Sequence, residues 1–317
     1  MRILLTTPAP AHSRKGNRIT ALRWARLLKD LGHHVTIAQE YQSQRCDLLV
    51  ALHARRSFPS IERFHHRHPN KALVLALTGT DLYGDIHTDT QARQALDMAW
   101  RFVLLQPDGI AQLPPYLHPK ARVIFQSVRP PSGIFPPRQD VFDVCVIGHL
   151  RPVKDPFRTA RAARLLPASS RLRVLHMGAA LSPDMEEQAR AEQNTNRRYT
   201  WLGELPRWKT LRQLCRCRLL VLTSQMEGGA NVVSEALACR VPVLSSHISG
   251  SIGMLGPDYP GYFPTGNTRA LTALLKRSET EPSFYNTLAT RCSQLSTLVD
   301  PAQERQGWSE LLAEWPT

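Results

Sequence analysis

The sequence predicts an α/β fold of two Rossmann-like domains, each built on a parallel sheet, facing a cleft. Three observations predict it. Short apolar runs alternate with amphipathic stretches along the chain, the β-α-β rhythm of parallel sheets covered on both faces. A proline-rich interruption, Arg129-Pro130-Pro131-Ser132-Gly133 and then Phe135-Pro136-Pro137-Arg138, divides that alternation into two series, because proline fixes φ and donates no hydrogen bond. The 317 residues, 42% of them hydrophobic, are enough for two ordinary cores.

The first series has strands at 2–6, 34–39, 47–52, 72–77, 102–106 and 122–125. A helix over 20–31 places Leu22, Ala25, Leu28 and Leu31 on one stripe, and Gly32 ends it. The second series has strands at 142–147, 172–177, 199–202, 219–223 and 241–245, with helices at 156–166, 208–215, 232–238 and 268–278. The domains are therefore placed at 1–137 and 138–317, with a last amphipathic segment at 301–315 packing back on the first. Ligands in such sheets bind in loops at the carboxyl ends of the strands.

The formal net charge is +14, which favours anionic partners of any size. The cations are spread along the chain, without long runs or interleaved aromatics, so nucleic-acid binding is not expected. No apolar run is long enough to span a bilayer, and no amphipathic helix of the membrane-surface type stands out. The N-terminal apolar run is too short for a signal-peptide core, which places the protein in the cytoplasm. Six cysteines are scattered without paired C-x2-C spacing, so neither a zinc site nor disulfides are expected. Cys145 and Cys239 read as small buried hydrophobes, and His65, His66 and His68 as surface residues.

The most informative stretch is Glu227-Gly228-Gly229-Ala230-Asn231-Val232-Val233-Ser234-Glu235. A strand, a glycine turn and a helix start make an anion cradle, since free N–H groups and the positive helix end converge there. Two carboxylates beside such a cradle point to a ligand with both phosphate and hydroxyls, and a nucleotide sugar has both.

This stretch belongs to an ordered set with Gly148-His149-Leu150-Arg151-Pro152-Val153-Lys154, Leu202-Gly203-Glu204-Leu205 and Ala238-Cys239-Arg240-Val241-Pro242-Val243. The set resembles family 4 of the two-domain GT-B glycosyltransferases. The resemblance implies that Glu235 accepts hydrogen bonds from ribose hydroxyls and that Glu227 holds hydroxyls of the donor sugar. It implies that the backbone of Gly229, Ala230, Asn231 and Val232 lets the diphosphate approach, with Leu205 and Gly16 also on the donor. Lys154 matches the family's diphosphate lysine, which stabilises the leaving group. The family's arginine five positions earlier is His149 here, and Arg151 is the alternative cation. UDP-sugar is then the donor substrate, with no other cofactor and no metal.

A narrower resemblance, carried also by Leu77-Thr78-Gly79-Thr80-Asp81-Leu82-Tyr83, is to the selenosugar synthases of selenoneine biosynthesis. It implies transfer of a sugar, usually N-acetylglucosamine, to selenophosphate. Arg14, Lys15, Asn17 and Arg18, in the loop before the first helix, suit such an anionic acceptor. Thr78 and Asp81 fall near the reacting sugar, and Thr78 stands where many family members carry a histidine. A soft, already anionic selenium nucleophile needs no base there. Two other functions fit less well: a sugar-hydroxyl or lipid-linked acceptor on the same fold, and a nucleic-acid-binding protein without catalysis. The oligomeric state is not readable from the sequence.

Overall fold

A computed structural model describes residues 1–12 and 16–315. The chain divides into two compact units, Met1–Gln126 with Pro301–Thr317, and Ser127–Asp300. The division falls after Gln126 rather than after residue 137, because Val128 donates its N–H to the Val299 carbonyl at 3.0 Å and is held within the second unit.

In the first unit β1 (Arg2–Thr6) leads to α1 (Gly16–Asp30), β2 (His34–Ala38), β3 (Leu48–Leu52), α2 (Phe58–Arg67) and β4 (Leu73–Leu77). A π-helical turn (Asp81–Asp85) follows, then α3 (Ile86–Thr88), α4 (Thr90–Met98), β5 (Arg101–Leu104) and β6 (Ala121–Val123). The strands form one parallel sheet in the order β2-β1-β3-β4-β5-β6. β3 and β4, LLVAL and LVLAL, are buried at every residue, as unbroken apolar runs must be in the middle of a covered sheet. Alternate residues feed opposite faces. Leu49, Ala51, Leu73, Leu75 and Leu77 pack with Phe58, Ile61 and Leu96, while Leu48, Val50, Val74 and Ala76 pack with Trp24, Leu28 and Trp308.

The second unit runs β7 (Phe142–Ile147), α5 (Arg158–Arg164), β8 (Leu172–Met177), α6 (Pro183–Thr195), β9 (Tyr199–Trp201), α7 (Arg207–Arg216) and β10 (Leu219–Leu222). It continues with α8 (Asn231–Ala238), β11 (Val243–Ser246), α9 (Ser249–Leu255), β12 (Tyr262–Phe263), α10 (Thr268–Thr280) and α11 (Pro282–Leu295). Its sheet is parallel, in the order β12-β11-β10-β7-β8-β9. Helix starts are fixed by short polar side chains: Ser182 accepts from Met185 N and Asn267 from Ala270 N.

The last helix, α12 (Pro301–Ala313), belongs to the first unit. Its buried Glu304 accepts from Trp24 Nε1 at 2.8 Å and Arg23 Nε at 3.0 Å. Trp308 meets Trp24 edge-on, with ring centroids 4.9 Å apart.

Some expectations are corrected. α1 begins at Gly16, so Gly16, Asn17 and Arg18 form its first turn rather than a loop. Its buried stripe is Ala21, Trp24, Ala25 and Leu28, while Leu22 is 50% exposed; the indole of Trp24 sets which face turns inward. Cys145 is buried, but Cys239 lies just past the end of α8 and is half-buried. His66 is exposed, whereas His68 is half-buried with Nε2 at 3.1 Å from the Tyr41 hydroxyl. No helix among the described residues is long and apolar enough to cross a membrane.

Trp308→Ala removes the largest side chain that α12 buries, at an expected cost of about 3–5 kcal/mol. Urea denaturation should show an earlier transition; an unchanged one would mean α12 adds nothing to that core.

Candidate active site

In each sheet the strand order reverses once, between β1 and β3 and between β7 and β10. At such a point the loops leaving neighbouring strands diverge and open a crevice. The second unit's crevice is a small recess lined by Gly148, His149, Lys154, His176, Thr223 and Ser224, among others.

Three contacts join the loops that follow β7 and β10. The Thr223 hydroxyl lies 2.9 Å from both the Lys154 and Asp155 carbonyls, and Gln225 N donates to Val153 O at 2.8 Å. Asp155 adopts a left-handed φ of 42° to close its turn, and its carboxylate accepts from Arg158 Nε at 2.6 Å. This places the Lys154 ammonium directly on Glu227 Oε1, which also accepts from the Ser224 hydroxyl at 2.6 Å. Glu227 thus has two donors, an ammonium and a hydroxyl, on one oxygen.

The Gly-rich turn then enters α8. Ala230 is the N-cap and offers no side-chain cap, so the first-turn N–H groups of Asn231 and Val232 lie ahead of the helical ladder. Gly229, Asn231 and Val232 are half-buried, and Ala230 is buried. Glu235, one turn into α8, is 8% exposed, and its Oε1 lies 3.1 Å from Arg207 Nη2 at the start of α7. Leu205 is half-buried just before that helix.

Across the recess, His149 Nδ1 accepts the Ala179 N–H at 3.1 Å, so the proton of the neutral ring sits on Nε2. A ring held this way is no substitute for a permanent arginine charge, and the neighbouring cation, Arg151, is exposed. Behind it, buried His176 lies 2.9 Å from the Tyr199 hydroxyl through Nδ1 and 3.2 Å from Gly148 O through Nε2. Burial depresses its pKa to about 4, against the opposing pull of the Gly148 carbonyl.

In the first unit, the Thr78 hydroxyl donates to Asn17 Oδ1 at 2.9 Å, which joins the end of β4 to the first turn of α1. The Asn17 amide N–H groups point the other way from that oxygen. Arg18 is half-buried, and its Nε is enclosed without a hydrogen-bond partner. Gly16 is exposed at the start of α1. Asp81 differs from expectation: it is fully buried, and its two oxygens accept from Gly79 N at 2.8 Å and Ala54 N at 3.0 Å. It shapes the turn after β4 and has no oxygen left facing a ligand. Arg14 and Lys15 lie outside the described residues.

Three residues of the site carry no signal in the motifs. Arg207 reaches Glu235, as Ser224 of the Gly-rich run reaches Glu227. Gly178 and Gly250 are glycines because backbone passes too close for a side chain. A Cβ on Gly178 would stand 1.9 Å from Gly148 O, and one on Gly250 would stand 2.1 Å from Glu227 O. Among the described residues, no group of histidine, cysteine and carboxylate side chains could hold a metal ion.

The family model described as glycosyl transferases group 1 matches residues 133–294, about half of the chain. The chain belongs to the group 1 glycosyltransferases. The matched segment holds every second-unit site residue described above. Solved structures agree on the fold. Sucrose-phosphate synthase from Thermosynechococcus elongatus superposes with a TM-score of 0.77 at 14% identity, covering 99% of this chain and 98% of that one. Anabaena HepE in complex with UDP-glucose gives 0.77 at 15% identity, covering 99% of each chain. An Escherichia coli trehalose-6-phosphate protein bound with UDP-2-fluoro glucose gives 0.75 at 11% identity, covering both chains completely. No curated protein matches the sequence significantly. These likenesses establish that this glycosyltransferase has the GT-B fold.

Two outcomes follow for this glycosyltransferase. Gly250→Ala pushes on the Glu227 backbone, and a shift of that size should lower sugar transfer by about a hundredfold with the fold retained; near-parental activity would show that the contact is not needed. His176 has a folded pKa of about 4 against the ordinary histidine value of 6.5, so the unfolded chain binds more protons between those values. Its contribution to stability is complete above the unfolded pKa and lost as pH falls toward the folded one, on the order of 3 kcal/mol in all. Thermal unfolding across that window should lose this slope in His176→Phe; an unchanged slope would refute the assignment.

Proposed function

We propose that this glycosyltransferase moves a sugar, N-acetylglucosamine first among candidates, from a UDP-sugar to selenophosphate. The reading makes it a selenosugar synthase that needs no metal ion. The observation that carries the donor half is the Lys154–Glu227 pair seated at the reversal of the second sheet, ahead of α8, with Glu235 one turn into that helix. The fold-level likeness to proteins solved with UDP-glucose or UDP-2-fluoro glucose supports a uridine diphosphate donor.

In this reading Glu235 accepts from the ribose diol, and Arg207 holds its carboxylate in place. Lys154 turns from Glu227 to the departing diphosphate as its charge grows, a gain realised at the transition state. Glu227, relieved of the cation, accepts from sugar hydroxyls and faces positive charge developing on the ring. The selenium lone pair forms the bond to the anomeric carbon, and the bonding pair leaves with UDP.

The acceptor half rests on the first unit. Thr78 donates to Asn17 Oδ1, so its hydroxyl is committed and takes no proton. Asn17 amide N–H and Arg18 offer donors and charge to an oxyanion. A nucleophile that arrives already anionic needs no proton taken by Thr78.

The test is to incubate the protein with selenophosphate and a panel of UDP-sugars, with and without a chelator, and to follow UDP and selenium-bearing sugar by mass spectrometry. Selenosugar and UDP should appear together, unaffected by the chelator. UDP-sugar binding without selenium transfer would sink the acceptor half, and a hydroxyl or lipid-linked acceptor would then be sought. Lys154→Ala should lower kcat about a hundred- to a thousandfold, whereas Glu235→Gln should mainly raise the donor KM, about tenfold or more. If Lys154→Ala altered only the KM, the leaving-group role would be lost.

A further inference from the structure

α7 presents an unusual outer face. Leu211 and Leu214 point inward and are buried. Trp208, Arg212 and Arg216, spaced by four, form one exposed stripe with Lys209 beside it. Trp208 is 54% exposed. The stripe continues onto the segment before β7. Gly133, with a left-handed φ of 107°, turns the chain so that Ile134 stands 92% exposed and Phe135 leans against the helix. The Arg212 guanidinium lies 5.1 Å from the Trp208 ring centroid and 5.6 Å from that of Phe135. Arg216 lies 5.7 Å from Phe135, and Lys209 5.3 Å from Trp208.

These contacts order the patch without neutralising it. Lys209, Arg212 and Arg216 form no ion pair among the described residues, although Arg207, at the start of the same helix, pairs with Glu235. Three cations without a carboxylate partner among the described residues therefore lie against Trp208 or Phe135, and Trp208 and Ile134 face water in the free protein.

We infer that this face of α7 docks on an anionic lipid bilayer. The chemistry selects that occupant. Lysine and arginine beside tryptophan match the headgroup layer, where long cationic stems reach phosphates and an indole sits at the boundary. Juxtaposed cations gain from the negative surface potential. Ile134 adds an aliphatic group at the patch's most exposed point, which suits the acyl boundary and contributes nothing to a phosphate contact. Single-stranded nucleic acid fits less well. Its bases need free aromatic faces on which to stack, and here cations already lie over the Trp208 and Phe135 rings. The docking is independent of the acceptor's nature, since no residue of the patch belongs to the proposed donor or acceptor sites.

Sedimentation of the full chain with vesicles tests this. Equimolar phosphatidylcholine and phosphatidylglycerol vesicles should carry the protein down, and phosphatidylcholine vesicles should not. The triple variant Lys209→Gln, Arg212→Gln, Arg216→Gln should weaken binding on the order of a hundredfold, with thermal unfolding unchanged. The pair Ile134→Ser and Trp208→Ala should weaken it about tenfold. Brominated lipid should quench the parent's fluorescence, and this quenching should shrink in Trp208→Phe. Equal binding by parent and triple variant, or no preference for the anionic vesicles, would overturn the proposal. So would binding of single-stranded RNA through these residues with no vesicle binding.

Discussion

The site of the second unit depends on one hydroxyl. Thr223 ends the strand run of β10 and reaches the carbonyls of both Lys154 and Asp155. Two loops that leave neighbouring strands in diverging directions are thereby made one body. The lysine and Glu227 are 73 residues apart in sequence, and their meeting is set by that tie, by the Gln225–Val153 bond and by the left-handed turn at Asp155. A partly buried pair of this kind is not a strong source of stability, because desolvation of the two charges offsets most of their attraction. Its value is positional: each group holds the other in place at the reversal of the second sheet.

The excess positive charge also has an anatomy. Many arginines are structural. Arg198 alone reaches the carbonyls of Ala163, Leu166, Pro167 and Ser170, satisfying acceptors left over at the end of α5. Arg101 and Arg122 share Glu314, and Arg173 chelates Asp143. Only the Arg173–Asp143 pair is neutral overall; Arg198, bonded to uncharged carbonyls, and the two arginines sharing one carboxylate keep a net positive charge. What remains unpaired is more concentrated than composition implies, as on α7.

The architecture was legible because buried parallel strands are unbroken apolar runs: LLVAL and LVLAL admit no other reading once helices flank them. The second-unit site was legible for a similar reason, since glycines, carboxylates and lysine stand in order along the chain. What was not legible depends on distant partners. The motif around Thr78 brings Asp81 to attention, but nothing local reveals that Ala54 and Gly79 take both of its oxygens. Arg207 lies 28 positions before Glu235 in sequence order, within a helix whose pattern is otherwise ordinary. Gly178 and Gly250 read as loop punctuation until the neighbouring carbonyls are in view. The 3.6-residue pattern finds Ala25 and Leu28 on the inner face of α1, but it takes in the exposed Leu22 and passes over the buried indole of Trp24.

The placement of α12 orders events at birth. The second unit is one unbroken stretch of chain, whereas the first is finished only when the segment from Pro301 returns to it. During synthesis the interior around Trp24 therefore waits, lacking Trp308 and the Glu304 carboxylate, while everything between is being made. The later-encoded lobe has all of its own strands in hand before the earlier one can close its last seam. A ribosome that stalls short of α12 leaves the cluster of Val50, Val74 and Trp24 without its Trp308, Leu311 and Leu312.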